Sequence, residues 1–259
     1  MPYRELANDI RLALDRPYFM RTLGYEPDKW QEQFLASEAK RVLLNCSRQS
    51  GKSTVTASLA LHTARYKAGS LTLLLSPSFR QSLELYEKVI DGYLKMGNES
   101  EDDDVLATVL KMDNGSKIVS LPSSEKTIRG FSGVDLLICD EASRIPDNLF
   151  YAVSPMLAVS GGRLIMLSTP FGQRGVFHDL WVNSDYERYK VTAYECKRIS
   201  KEFIESEKRT LPSRTFRQEY MGEFLQTDDA LFAYDEVMGL TSSEVEPLFR
   251  KVRDEETER

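Results

Sequence analysis

The chain has 259 residues, 41% of them hydrophobic, with a formal net charge of −6, three cysteines and two histidines. That is enough apolar material for one large domain with a full core, and no stretch nears the roughly 18–20 consecutive apolar residues of a membrane span. The acidic balance excludes a protein coated in positive charge for nonspecific nucleic-acid binding while leaving room for a local basic surface.

The cysteines, Cys46, Cys139 and Cys196, are odd in number and scattered, so no disulfide framework is implied. His62 and His178 form no metal-ligand pattern with them. The N-terminal MPYRELANDIRLALDRP alternates charge with apolar residues and lacks the continuous apolar core of a signal peptide, which predicts a soluble protein made in a cytoplasm.

Taken in chain order, RVLLNC at 41–46 predicts a short buried strand, and Gly51 to about Lys67 a helix. LTLLLS at 71–76 is a second buried strand, followed by a helix over 80–96. The acidic run NESEDDD at 98–104 reads as a solvated loop tip. VLKMDNGSKIVSL at 109–121 reads as two short strands around Asn114-Gly115, a dipeptide that favours a tight type I′ turn. VDLLICD at 134–140 and RLIMLS at 163–168 are continuous apolar runs, the mark of parallel strands covered on both faces. A last strand is expected at 189–194, a helical region at 200–222, and a charged tail from Val245 onward. The expected fold class is α/β, a mostly parallel sheet sandwiched by helices.

Residues 46–54, CSRQSGKST, end like a phosphate-binding loop, but Cys46 stands where the first glycine of the pattern belongs. The loop still lies between a predicted strand and a predicted helix. Backbone N–H groups from Ser50 to Thr54 can therefore cradle a β-phosphate at a positive helix terminus. Lys52 would reach the β/γ oxygens, and the Ser53 hydroxyl would ligate Mg²⁺. GKST alone recurs by chance in polar loops; its partner is 134-VDLLICDEAS-143, an apolar strand ending in Asp140 and Glu141. Asp140 can hold Mg²⁺, and Glu141 can accept a proton from an attacking water or orient it. The bland reading of the pair, two acids opening a helix, is poor in that company. Upstream, Gln31 can read adenine with its paired donor and acceptor. Trp30 either packs beside the base or joins Phe34 on the apolar face of a helix.

Several motifs in order across residues 20–232 then resemble the ATPase domain of tailed-phage large terminases. They are PDKWQEQFL, the SRQSGKST loop with an arginine inside it, the NGSKI hairpin, IRG ahead of the DEA strand, MLSTPFG and RQEYMGEF. The resemblance implies a RecA-like P-loop ATPase of the additional-strand, catalytic-glutamate type, using ATP and Mg²⁺. It implies nucleotide contacts from Ser47, Arg48, Gln49, Ser50, Gly51, Lys52, Ser53 and Thr54, and tolerates a loop without its first glycine. It places a trans-acting arginine finger at Arg129, with Arg48 as an alternative cis sensor and Arg144 as a third candidate. Ser168 and Thr169 fall on the coupling motif, whose residues otherwise read as a strand-ending turn before Pro170.

By the same resemblance, residues 1–225 are the ATPase domain and 226–259 a linker or stub, because the 35 residues after Phe224 are too few for a nuclease domain. Asp228, Asp229 and Asp235 are assigned no metal. The implied partners are double-stranded DNA, further copies in a ring (a pentamer in the family) on a portal protein, and a small terminase subunit, in the cytoplasm of an infected bacterial host. Basic clusters at Lys197-Arg198-Lys201 and Arg214-Arg217 are candidate DNA contacts or solvated helix faces. Two rivals remain: a superfamily 2 helicase fragment, which shares the Gln motif, GKST and DEA, and a nonhydrolysing nucleotide-binding adaptor, against which Glu141 argues.

Overall fold

The apolar runs pair into one seven-stranded sheet in the order β3-β4-β2-β5-β6-β1-β7. The computed structural model describes residues 3–97, 107–121 and 130–226, and packing joins those up to Leu225 into one unit. The acidic run at 98–104 and the charged tail lie outside the described residues. The strands are β1 (Arg41–Cys46), β2 (Leu71–Leu75), β3 (Val109–Lys111), β4 (Lys117–Leu121), β5 (Leu136–Asp140), β6 (Arg163–Ser168) and β7 (Glu187–Val191). All neighbours are parallel except β3, which runs antiparallel to β4 at one edge.

The helices are α1 (Tyr3–Leu14), α2 (Arg16–Thr22), α3 (Lys29–Ala36), α4 (Lys52–Tyr66), α5 (Phe79–Lys95), α6 (Asp147–Val153), α7 (Gly175–Asn183), α8 (Lys201–Thr210) and α9 (Ser213–Glu219). Strand alternation divides the core between the two faces of the sheet. Val42, Leu44, Leu136, Ile138, Ile165 and Leu167 pack with Phe19, Phe34, Leu59 and Tyr93, beneath α2 to α5. Leu43, Leu137, Cys139, Leu164 and Met166 pack with Leu149, Phe150 and Phe177, beneath α6 and α7. Both faces are covered, so these strands carry no polar alternation. Helix α4 is buried along most of its length, from Val55 to Ala64.

Three expectations shift. The last strand is Glu187–Val191 rather than 189–194, because the Thr192 N–H turns to the Glu195 carboxylate (2.7 Å) and starts a 3₁₀ turn. The helical region at 200–222 breaks into α8 and α9. Pro212 disfavours helical backbone at the preceding residue, and Leu211 is extended at φ −83°, ψ 150°. The turn at Asn114-Gly115 is not type I′, which needs positive φ at both central residues. Gly115 alone is left-handed there (φ 80°), and its N–H bonds the Met112 carbonyl at 2.9 Å. This is a three-residue loop, with Asn114 held by its own side chain: Nδ2 donates to the carbonyls of Ala64 (2.7 Å) and Arg65 (3.0 Å) at the end of α4.

Candidate functional site

The register sets Asn45 of β1 beside Ser168 of β6, and Leu167 of β6 beside Asp140 of β5. The carboxyl ends of three adjacent strands therefore carry the phosphate-loop motif, the Ser-Thr segment and the Asp-Glu pair, at the edge where open α/β sheets bind ligands. Strand β6 is the one inserted between the two nucleotide motifs.

Cys46 explains its own tolerance. It is the last residue of β1, paired with Val191, fully buried and without positive φ, so nothing at that position demands glycine. Burial pushes its thiol up to about 12, which leaves it a packing residue. The loop turns three residues further on. Gln49 (φ 59°) and Gly51 (φ 83°) are left-handed, and α4 begins at Lys52. The Ser47 N–H bonds the Val191 carbonyl (2.8 Å) and the Arg48 N–H the Glu219 carbonyl (3.0 Å), so both outer donors of the loop are tied to the chain's C-terminal half.

Inside the loop, Ser53 Oγ lies 3.4 Å from Asp140 Oδ2, and Lys52 Nζ lies 3.4 Å from Glu141 Oε1. Asp140 is 6% exposed. Burial pushes its carboxyl up to about 6, against the pull of the Lys52 ammonium. Glu141 is left-handed at φ 50°, ψ 42°, a conformation that costs a non-glycine residue energy and clusters at functional sites. Its other oxygen, Oε2, accepts from Arg144 NH1 at 2.9 Å. Ser143 Oγ donates to the Thr169 carbonyl (2.8 Å) and therefore accepts from Ser168 Oγ (2.6 Å).

A cavity of about 950 Å³ opens along Arg48 to Thr54 and is bounded by Lys88, Arg198 and Phe203. A second of about 470 Å³ lies behind Gly51, lined by Tyr25, Asp28, Gln31, Thr54 and Lys197 among others.

Other predicted residues hold contacts within the chain. Trp30 is 6% exposed and belongs to the core under α3. The Gln31 amide is fully buried; Oε1 accepts from the Asp28 N–H (2.8 Å) and Nε2 donates to the Gly51 carbonyl (3.2 Å). Arg48 is ion-paired to Glu219 at 2.6 Å. Arg198, counted among the basic clusters, bonds the Ser50 carbonyl (2.7 Å) and Asp28 (2.8 Å) behind the loop. Arg217 pairs with Glu223. Arg129 lies outside the described residues. Glu219 and the role of Arg198 have no local signature, because each meets the loop from more than a hundred residues away in sequence.

A family profile described as "Terminase large subunit, T4likevirus-type, N-terminal" matches residues 43–238. The chain belongs to the terminase large subunit family.

Among curated large terminase subunits, those of Thermus phage G20c and Thermus virus P23-45 are each 24% identical over 252 residues, covering 83% of this chain and 52% of theirs. The chain thus spans about half the length of these terminase relatives. The Thermus phage P74-26 large terminase ATPase domain superposes with a TM-score of 0.71 at 23% identity, over 80% of this chain and 98% of that one. The large terminase of another thermophilic bacteriophage, solved in complex with ADP, gives 0.62 at 17%, over 76% of this chain and 53% of that one. At these identities the likeness shows the fold, which is RecA-like.

Proposed function

We propose that this terminase chain is an ATP-hydrolysing motor domain that couples phosphoryl transfer to movement of double-stranded DNA into a procapsid. The observation that carries the reading is the meeting of Lys52 with Glu141 and of Ser53 with Asp140, at adjoining strand ends, beside the cavity that Lys52 and Ser53 line. The thermophilic bacteriophage terminase solved with ADP has also been solved with ATP-gamma-S, which supports an adenine nucleotide as substrate.

The donor set also fits Mg²⁺. No group of three or more His, Cys, Asp or Glu side chains gathers as a metal cage among the described residues. One buried carboxylate beside one hydroxyl suits a cation that completes its shell with water and substrate phosphate. Ser53 and Asp140 would hold it, and it would supply neutralisation of phosphate charge.

The chain's own residues do the rest. Backbone N–H groups at the start of α4 bind the phosphates, and Lys52 leaves Glu141 for the β/γ oxygens. Glu141, freed on one oxygen, orients the water and takes its proton. Arg129 of a neighbouring copy completes the site, so turnover needs self-association into a ring. Such fingers are worth on the order of 10³–10⁵ in rate elsewhere, and a dilute monomer is correspondingly slow. Residues 1–225 are read as the motor domain and 226–259 as a linker or stub. DNA, a portal protein and a small terminase subunit are its partners in the cytoplasm of the infected bacterium.

The test is ATP turnover at high protein concentration by Lys52→Ala, Arg129→Ala and an equal mixture of the two. The expected result is a mixture that works from two inactive parts. A mixture as inactive as its parts, beside an active wild type, would put Arg129 in cis. A wild type without turnover would sink the hydrolase reading.

A further inference from the structure

Glu141 has two carboxylate oxygens, and in this structure they face different cations. Oε1 meets Lys52 at 3.4 Å and Oε2 meets Arg144 at 2.9 Å. The Arg144 contact is built into the chain. Residues Ala142–Arg144 form a 3₁₀ turn whose Arg144 N–H bonds the Glu141 carbonyl at 2.9 Å, and in a 3₁₀ turn side chains three apart lie on the same side. Arg144 is also held from beyond that turn. Its NH1 is 3.5 Å from Thr169 Oγ1, and its guanidinium carbon lies 4.7 Å from the centre of the Phe171 ring. An arginine gripped by a carboxylate, a hydroxyl and an aromatic face is not a loose surface side chain.

We propose that Arg144 is a positioning residue for Glu141, acting within its own subunit, and that it ties the carboxylate to the Ser168-Thr169 segment. The inference rests on Glu141 being the base of the proposed hydrolysis. Lys52 has a second claimant, the phosphate; Arg144 stays with the carboxylate. When Lys52 turns to the nucleotide, Arg144 keeps Oε2, and Oε1 is left as the oxygen that meets water. The NH1–Oε2 bond holds that one oxygen in place. The same guanidinium touches Thr169 while Ser143, one residue before it, bonds Ser168 and the Thr169 carbonyl. The end of β6 therefore follows the carboxylate. Arg144 is accordingly committed in cis and is not the residue offered to a neighbouring copy.

The experiment measures kcat and KM for ATP in Arg144→Ala, Arg144→Lys, Glu141→Gln and the double variant Arg144→Ala/Glu141→Gln, with melting curves alongside. A misplaced base costs on the order of 10² in rate, so Arg144→Ala should lose about that factor in kcat. Its KM should stay within about threefold, because the lost interaction serves the transition state and not ground-state binding. Arg144→Lys, which keeps charge and much of the reach, should recover part of the loss and gives the same reading if the alanine variant fails to fold. The double variant should be no slower than Glu141→Gln alone, because two residues that act as a unit are not additive. If Glu141→Gln is strongly slowed but Arg144→Ala turns over like wild type, loses only KM, or adds its loss in full to the residual rate of Glu141→Gln, the positioning role is overturned and the hydrolase reading stands. If Glu141→Gln itself turns over like wild type, the base assignment and the Arg144 proposal fall together.

Discussion

At the scale of single residues, the site holds backbone conformations that elsewhere among the described residues only glycine adopts. Among the described residues the only non-glycine positions with positive φ are Gln49 and Glu141, one in the loop and one at the tip of β5. Gly51 adds a third left-handed position, and here the residue type is forced twice over. A Cβ at Gly51 would sit 2.7 Å from Arg198 NH2 and 2.9 Å from Gln31 Nε2. Gly51→Ala should therefore cost about 1–2 kcal/mol in left-handed strain, lowering Tm by roughly 2–8 °C for a domain of this size. It should also weaken ATP binding by dislodging Arg198 from the Ser50 carbonyl. Calorimetry and nucleotide titration check both; an unchanged Tm would mean the loop relaxes around the methyl group.

At the scale of elements, two polar side chains stitch neighbouring segments to α4. His62 Nε2 lies 3.1 Å from the carbonyls of Leu12 and Ala13, where it must donate, and so pins the end of α1. Burial, reinforced by Arg16, pulls its imidazole from 6.5 down to about 4. Between those two values the unfolded chain binds the proton and the folded chain resists it. The stabilisation is thus complete above about 6.5 and is lost as pH falls toward 4. Asp140, raised from 3.8 to about 6, works in the opposite sense over much of that range, so wild type alone mixes the two effects. The Tm advantage of wild type over His62→Gln should shrink steadily from pH 7 to pH 4.5; a constant difference would show that His62 does not titrate there. Asn114 secures the β3–β4 hairpin to the last carbonyls of α4, and Asn114→Ala should cost about 1–3 kcal/mol in urea unfolding, since it removes two hydrogen bonds of about 0.5–1.5 kcal/mol each. A hairpin that needed Asn114 only for its turn would lose far less.

These contacts mark the limit of what the sequence shows. β1, β2, β5 and β6 were legible because a strand covered on both faces needs an unbroken apolar run, as in RVLLNC and RLIMLS. The Lys52, Ser53, Asp140 and Glu141 cluster was legible because each motif sits at a strand end, and parallel strands bring those ends together. Asn114-Gly115 misled because a tertiary contact to α4 overrode the local turn preference. α1 and α2 were not anticipated, although Asp15 before Arg16-Pro17 is a helix-start signal and Phe19 and Met20 of α2 are core residues. The Arg198 and Glu219 contacts joined residues with no periodic or spacing relation to the loop.

At the scale of the whole molecule, the ligand that fills the site should also fasten the fold, because the loop is bonded to both halves of the chain. A nucleotide at 100 times its Kd adds about 2.7 kcal/mol, which for a domain of this size is roughly 5–11 °C in Tm. Mg²⁺ with a slowly hydrolysed ATP analogue should produce that rise in wild type and not in Lys52→Ala; an equal rise in both would place the binding energy outside the phosphate loop. The stretch Glu219–Gly222 gives this fastening a direction. Its carbonyls are taken by the Arg48 N–H, the Ala193 N–H and the Asn45 amide, at 3.0, 2.8 and 2.8 Å. Tension entering the chain beside Leu225 meets the tip of β1 and the phosphate loop before any other part of the sheet. Once past the anchor of Phe224 on α7 and Gln173, a pull on that end is a pull on the phosphate loop, so in the proposed motor resisting force and turnover would share one mechanical joint, and the engine would be throttled by its own load.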